Sequence, residues 1–157
     1  MAKAREVAGL DAAEVSFREA AALTIATRAE EVFEHAHGVL DTSVIENVHA
    51  MRVATRRLRA AMEIFAPAFP RKQHHALLRE VKALADALGE RRDRDVGIEA
   101  MTGVAAALTV RDKPGIDHLI AELRDEQAAA NVGLAAELER IEAIDLRDRL
   151  LALAASA

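Results

Sequence analysis

Positively charged side chains recur at helical spacing in the segment VHAMRVATRRLR, residues 48–59. At about 100° per residue, four of them fall within a sector of about 80° on a helix. Met51 and Leu58 fall on another side, where they would face a core. Because an arginine guanidinium can hold a phosphate through two parallel hydrogen bonds, this stripe predicts a surface that binds a phosphate-rich anion. Its members are His49, Arg52, Arg56 and Arg59.

A second basic stripe follows on the next predicted helix. Its members again share a sector of about 80°, and Leu77, Val81 and Leu84 gather on a different side. The stripe consists of Arg71, His75, Arg79 and Lys82. Two successive helices therefore each carry a stripe of positively charged side chains that lies away from the apolar side of the helix.

Charge is unevenly distributed along the sequence. Residues 49–95 hold eleven lysines and arginines and six acidic residues, a formal charge of +5, whereas the whole chain carries −5 and the remainder therefore −10. Like charges four residues apart destabilise a helix by a few tenths of a kcal/mol per pair, a cost that a bound polyanion would remove. A solvated surface would explain any one of these arginines, but the two stripes together favour an anion-binding surface.

The composition disfavours nucleic acid as the ligand. The chain has four phenylalanines and no tyrosine or tryptophan, so it lacks the stacking platforms of proteins that bind single strands. No asparagine or glutamine stands among the arginines of the first stripe to read base edges. A ligand made of phosphate without bases fits better. A scaffold for an acidic protein, or for duplex DNA held only by its phosphates, stays open.

Catalysis, metal binding and a cofactor find little support in the sequence. There is no glycine-rich phosphate loop and no nucleophilic side chain beside a base. His35 and His37 would point about 200° apart on a helix, and the adjacent His74 and His75 also diverge. We therefore predict a protein that is not an enzyme and has neither metal nor cofactor, although a site that combines carboxylates and histidine between helices stays open.

Composition also predicts the fold class. The 157 residues are 52% hydrophobic and include only 7 glycines and 3 prolines. Such a chain favours helices over strands and is long enough for one domain, residues 1–157. The absence of cysteine, of an apolar leader and of a run of about 18 apolar residues favours a cytoplasmic protein without a membrane partner. We predict an all-α helical bundle with a basic surface or groove.

Signals for helix starts and stops divide the chain into six predicted helices. The first opens with a capping box at Asp11 and Glu14 and ends near Gly38. The second spans residues 44–66, and the third runs from Pro70 to Gly89. A fourth helix follows, capped by Asp93 or Asp95, and a loop is predicted over residues 109–115. The fifth helix spans residues 116–143, and Asp145 caps the last one.

Two of these segments resemble the CHAD domain, the conserved histidine α-helical domain. The first motif of that family is similar to V-H-x-x-R-V-x-x-R-R-L-R, which residues 48–59 match. The second is similar to L-G-x-x-R-D-x-D-V, which residues 88–96 match as LGERRDRDV. Both motifs occur in the family's order and one helix apart, and the resemblance is firm over residues 44–99.

The resemblance implies two similar helical halves around a basic groove that binds inorganic polyphosphate. It adds Arg57 and Arg92 to the binding residues. From the helix-start signals we expect Asp93 and Asp95 to cap the fourth helix and to hold Arg92 towards the groove. The resemblance also implies polyphosphate granules as the location and a CYTH-type triphosphate enzyme as a partner. The motifs of only one half occur in these 157 residues. A homodimer is expected to supply the other half, and the alternative that the second half belongs to a longer protein stays open.

Overall fold

The computed structural model describes residues 3–11 and 14–157 of the chain. Within these ranges the regular structure is entirely helical, which confirms the all-α prediction. Five α-helices occur in the described residues, with a short 3-10 turn at Ala66–Ala68. They are α1 (Phe17–Glu34), α2 (Ile45–Ile64), α3 (Arg71–Ala107), α4 (Lys113–Ala143) and α5 (Leu146–Ala154).

The first helix begins later than predicted. The Ser16 hydroxyl accepts a hydrogen bond from the Glu19 amide, and the Glu19 carboxylate accepts one from the Ser16 amide, so the capping box lies here. The prediction of a box at Asp11 and Glu14 is wrong: Asp11 lies in a turn, and residues 12 and 13 lie outside the described residues. Both pairs have the spacing of the motif, but only Ser16 and Glu19 immediately precede the buried part of the helix.

α3 is a single helix of 37 residues, where two helices were predicted. It begins after Pro70, as expected, but passes through Gly89 without a break. Asp93 and Asp95 therefore lie inside the helix and do not cap one. A glycine in a helix interior costs only about 1 kcal/mol relative to alanine. The continuous buried side of α3 on both sides of Gly89 offsets that cost.

The last two helices also differ in detail from the prediction. α4 begins at Lys113 with Pro114 in its first turn, a position that proline tolerates, so the preceding loop is shorter than the predicted 109–115. α5 begins directly after Asp145, as expected. The Asp145 side chain makes no capping hydrogen bond, and its backbone is left-handed with φ at 52°. Asp145 therefore turns the chain without acting as a side-chain cap.

The helices pack largely in chain order around one core. α1 contacts α2, α2 contacts α3, and α3 pairs with α4 as an antiparallel hairpin, while α5 closes the bundle mainly against α1. The antiparallel register of the hairpin is visible in two ion pairs, Glu80 with Arg140 and Arg94 with Glu126. The largest apolar side chains of the core include Ile25, Met51, Leu58, Met62, Leu77, Leu84, Leu88 and Leu150.

The hairpin of α3 and α4 extends beyond this core. The last buried residue of α3 is Asp95, and before Leu134 the only buried residue of α4 in the described chain is Ile120. We call residues 96–107 and 113–133 the distal hairpin. Its exposed apolar side chains include Val96, Val104 and Leu119. The core therefore positions α2 and the first half of α3, where both predicted stripes lie.

Candidate anion-binding surface

The α2 stripe faces away from the core, as its periodicity predicts. Met51 and Leu58 are buried, whereas Arg56 is exposed and His49, Arg52 and Arg59 are half-buried. No carboxylate in residues 3–11 or 14–157 forms an ion pair with Arg52 or Arg56. Two guanidinium groups of this stripe therefore have no acidic side chain to neutralise them in the part of the chain that the structure describes.

The α3 stripe lies on the outer side of its helix. Arg71, His75 and Arg79 are exposed, and Lys82 is half-buried. An open depression of about 510 Å³ lies beside them. Its lining consists of Lys72, His75, Ala76, Leu78, Arg79 and Lys82.

Lys72 is a cation of this depression that the sequence prediction missed. Its spacing of three and seven residues from His75 and Arg79 puts all three on one side of a helix, so the same periodicity could have identified it. Its neighbour Arg71 is in the predicted set, and the two side chains are about 100° apart. The α3 stripe is therefore wider than predicted.

Glu63 brings the two stripes together. Its Oε1 atom accepts a hydrogen bond from Arg59 Nε at 3.2 Å and lies 3.6 Å from Lys82 Nζ, so one carboxylate of α2 contacts a cation of each stripe. The Arg59 hydrogen bond, together with the charges of Arg59 and Lys82, lowers the pKa of Glu63 below its ordinary value. The stripes consequently form one surface. We call this surface the cationic face: His49, Arg52, Arg56, Arg59, Arg71, Lys72, His75, Arg79 and Lys82.

Arg57 lies on another side of α2, where it contacts α1. The buried Glu31 carboxylate accepts hydrogen bonds from Arg57 at 3.1 Å, from Arg28 at 2.6 Å and from the Arg5 amide at 3.3 Å. Burial alone would raise the pKa of Glu31, but the hydrogen bonds from Arg28 and the Arg5 amide, with the charges of Arg28 and Arg57, bring it below its ordinary value. The structure thus places Arg57 in an ion pair that joins α2 to α1, away from the cationic face.

The adjacent residues Arg56 and Arg57 allow a direct test of whether Arg57 stabilises the fold while Arg56 does not. Arg57→Ala removes a charged hydrogen bond from a buried carboxylate, so we expect it to lower the free energy of unfolding by about 1.5–3 kcal/mol. Arg56→Ala removes an exposed side chain that has no ion pair in the described residues, and we expect a change within about 0.5 kcal/mol. Urea titrations followed by circular dichroism measure both values. Equal stabilities of the two variants would contradict the role given to Arg57.

The second motif forms a polar network in the interior of the protein. Arg91 and Asp95 are fully buried and form an ion pair one helical turn apart on the core-facing side of α3. Asp95 also accepts a hydrogen bond from Gln127 at 2.7 Å, and Arg91 Nε donates one to Asn131 Oδ1 at 3.2 Å. Asn131 in turn donates to the Leu40 carbonyl at 3.0 Å. The network joins α3, α4 and the loop between α1 and α2.

Arg92, which the second motif adds to the predicted binding residues, is only partly accessible to a ligand. It is half-buried, and its Nη1 atom is buried without a hydrogen-bond partner in the described residues. The prediction that Asp93 and Asp95 cap a helix is wrong, because α3 is continuous there. Asp95 pairs with Arg91 and not with Arg92. The structure thus shows Arg91 and Asp95 as a buried structural pair, and the role of Arg92 in binding stays a prediction.

The fold and the site together define an all-α protein with a cationic face on two neighbouring helices. In the described residues, no helix has the length and hydropathy that a membrane span requires, and no three His, Asp or Glu side chains are grouped to hold a metal ion. The family model of the CHAD domain matches residues 23–157, so the chain belongs to the CHAD family. No curated protein and no solved structure matches the chain.

Proposed function

We propose that this protein binds inorganic polyphosphate, without catalysis, through the cationic face. The observation that carries this proposal is the juxtaposition of two basic stripes through Glu63, in a chain whose formal net charge is −5. Arg52, Arg56, Arg71 and Arg79 have no ion pair in the described part of the chain. Membership of the CHAD family, which occurs in proteins related to polyphosphate, supports this choice of anion.

The chemistry of the face favours a ligand that consists of phosphate alone. Guanidinium and ammonium groups suit phosphate oxygens, and regularly spaced cations suit a linear polyanion. Single-stranded nucleic acid would also need aromatic side chains for stacking. Phe65 packs against the core just after α2 and Phe69 is buried, so neither phenylalanine offers a ring to a ligand on the cationic face. Polyphosphate supplies the charge without requiring these contacts.

Competition at fixed salt tests the choice of ligand. A labelled long polyphosphate is bound to the protein and then displaced with unlabelled polyphosphate, DNA, RNA or triphosphate. We expect long polyphosphate to compete best, because it can occupy the whole face. The logarithm of the association constant should also fall linearly with the logarithm of the salt concentration, since binding releases counterions. Stronger competition by DNA or RNA would favour the nucleic-acid alternative.

Location and enzyme partner belong to the same proposal. We propose that the protein acts in the cytoplasm at polyphosphate granules and cooperates there with a CYTH-type triphosphate enzyme. A fluorescent fusion should colocalise with granules through the cationic face. A variant with Arg52, Arg56 and Arg59 changed to glutamate should therefore become diffuse. Granule association that persists in this variant would contradict a location determined by polyphosphate binding.

Self-association is expected to depend on the ligand. Two cationic faces repel each other, whereas a long polyphosphate between them removes the repulsion and favours a homodimer. The apolar Val96, Val104 and Leu119 of the distal hairpin provide surface that a second copy would cover. We expect multi-angle light scattering to show dimers with long polyphosphate and fewer without it. A monomer at every salt concentration, with and without ligand, would contradict a homodimer.

A further inference from the structure

Glu63 is the one carboxylate that forms ion pairs with the cationic face in residues 3–11 and 14–157. It does so through a single oxygen, Oε1, which contacts Arg59 and Lys82 together. The three side chains are each between 43% and 46% exposed, so solvent and a ligand can reach them. Glu63 thus occupies the junction between the α2 and α3 stripes, which a polyanion that uses both stripes must cross.

An anion at this junction would compete with Glu63 for the same donors. Arg59 donates its Nε–H group to Glu63, and the Lys82 ammonium lies within ion-pair distance of it, so a phosphate that binds both cations must displace the carboxylate or accept its repulsion. Exposed ion pairs of this kind are weak, so a dense polyanion can break them. A short phosphate has few other cations to contact, and the competition should disfavour it more.

We propose, on the basis of the polyphosphate binding proposed above, that Glu63 is an internal competitor that determines specificity for long chains. In the free protein it occupies Arg59 and Lys82. A long polyphosphate first binds four arginines that have no ion pair within the described residues, Arg52 and Arg56 on α2 with Arg71 and Arg79 on α3. It then takes the two cations from Glu63. Orthophosphate and triphosphate cannot make enough of the other contacts to offset that exchange.

The substitution Glu63→Gln tests this role with little change in shape. One unit charge at contact distance in water corresponds to about a fivefold change in affinity. We therefore expect Glu63→Gln to bind long polyphosphate about three to ten times more tightly and to gain more for triphosphate, so that the preference for long chains decreases. Glu34→Gln is the matched control, since it removes the same charge from an exposed ion pair elsewhere, between Glu34 at the end of α1 and Arg5 before that helix. Its affinity should change less than twofold.

A double-mutant cycle separates direct competition from a general effect of charge. When Arg59 and Lys82 are both changed to alanine, Glu63 has no cation to occupy, so Glu63→Gln should then have little effect on affinity. Calorimetric titration with long polyphosphate and with triphosphate measures all four proteins. If Glu63→Gln no longer raises the affinity for phosphate when Arg59 and Lys82 are alanine, the result supports direct competition.

The other outcomes are also decisive. An equal gain in both backgrounds would overturn competition at the contact, because it would reflect only net charge. Unchanged or weaker binding by Glu63→Gln would overturn the role of Glu63 while leaving polyphosphate binding intact. If the wild-type protein binds neither phosphate, the proposed function fails and the role of Glu63 with it.

Discussion

Changing Arg52, Arg56 and Arg59 together to glutamate is expected to abolish polyphosphate binding while the protein stays folded. Each unit charge at contact distance in water contributes about 1 kcal/mol, and the three reversals change six units of charge. Affinity should therefore fall by at least about a hundredfold. The three positions lie on the outer side of α2, with Arg56 exposed and the others half-buried, so helix content should be retained. Fluorescence anisotropy with labelled polyphosphate and far-UV circular dichroism measure the two properties.

A charge-matched control makes this result specific to the site. Changing Arg124, Arg147 and Arg149 to glutamate also takes the net charge from −5 to −11, at exposed positions of α4 and α5. Because these arginines lie outside the cationic face, the control should keep most of the affinity, with a modest loss from long-range repulsion that salt screens. Equal losses in the two triple variants would mean that net charge, and not the cationic face, determines binding.

Asp95→Ala is expected to destabilise the protein more than any other single change considered above. It leaves the fully buried Arg91 without its ion-pair partner, and breaking a buried pair in this way costs about 3–5 kcal/mol. For a domain of this size the melting temperature should fall by about 6–20 °C. Loss of a helix cap would cost only about 0.5–2 kcal/mol, so the magnitude distinguishes the buried pair from the predicted cap. Differential scanning calorimetry measures the difference.

Two further variants check the cause. Asp93→Ala removes an exposed aspartate from the same motif and should change stability by no more than about 0.5 kcal/mol. Replacing Arg91 by methionine together with Asp95 by leucine removes both charges, and it should recover much of the loss because an apolar pair needs no partner. A melting temperature for Asp95→Ala close to that of Asp93→Ala would show that Asp95 does not stabilise Arg91.

Periodicity was sufficient to predict the α2 side of the candidate site. Burial of Met51 and Leu58 and exposure of Arg56 follow directly from 3.6 residues per turn. Local spacing cannot, however, predict what a neighbouring helix contributes. Arg56 and Arg57 are adjacent, and Arg57 is drawn to α1 by Glu31, which lies 26 residues away in sequence. The functional difference between these two arginines is therefore a property of the tertiary structure.

Helix boundaries failed where local signals competed with packing. Gly89 and the aspartates after it resemble a stop followed by a new start, yet α3 continues because Arg91 and Asp95 find partners on α4. Those partners, Asn131 and Gln127, lie 40 and 32 residues away. A buried arginine on the core-facing side of a helix is also the opposite of what hydropathy predicts. The one signal in the sequence for this buried pair is that Arg91 and Asp95 lie four residues apart, which places them on the same side of a helix.

The distal hairpin divides the molecule into two parts of unequal cooperativity. Its backbone hydrogen bonds are supported by almost no buried side chains, whereas those of the bundle enclose the core. Opening of the hairpin should therefore need much less free energy than global unfolding. Amide protons of residues 98–107 should exchange with solvent well before those of residues 74–91, although both stretches belong to α3. A helix that is continuous in geometry would then contain two foldons, with the Arg91–Asp95 network at their boundary.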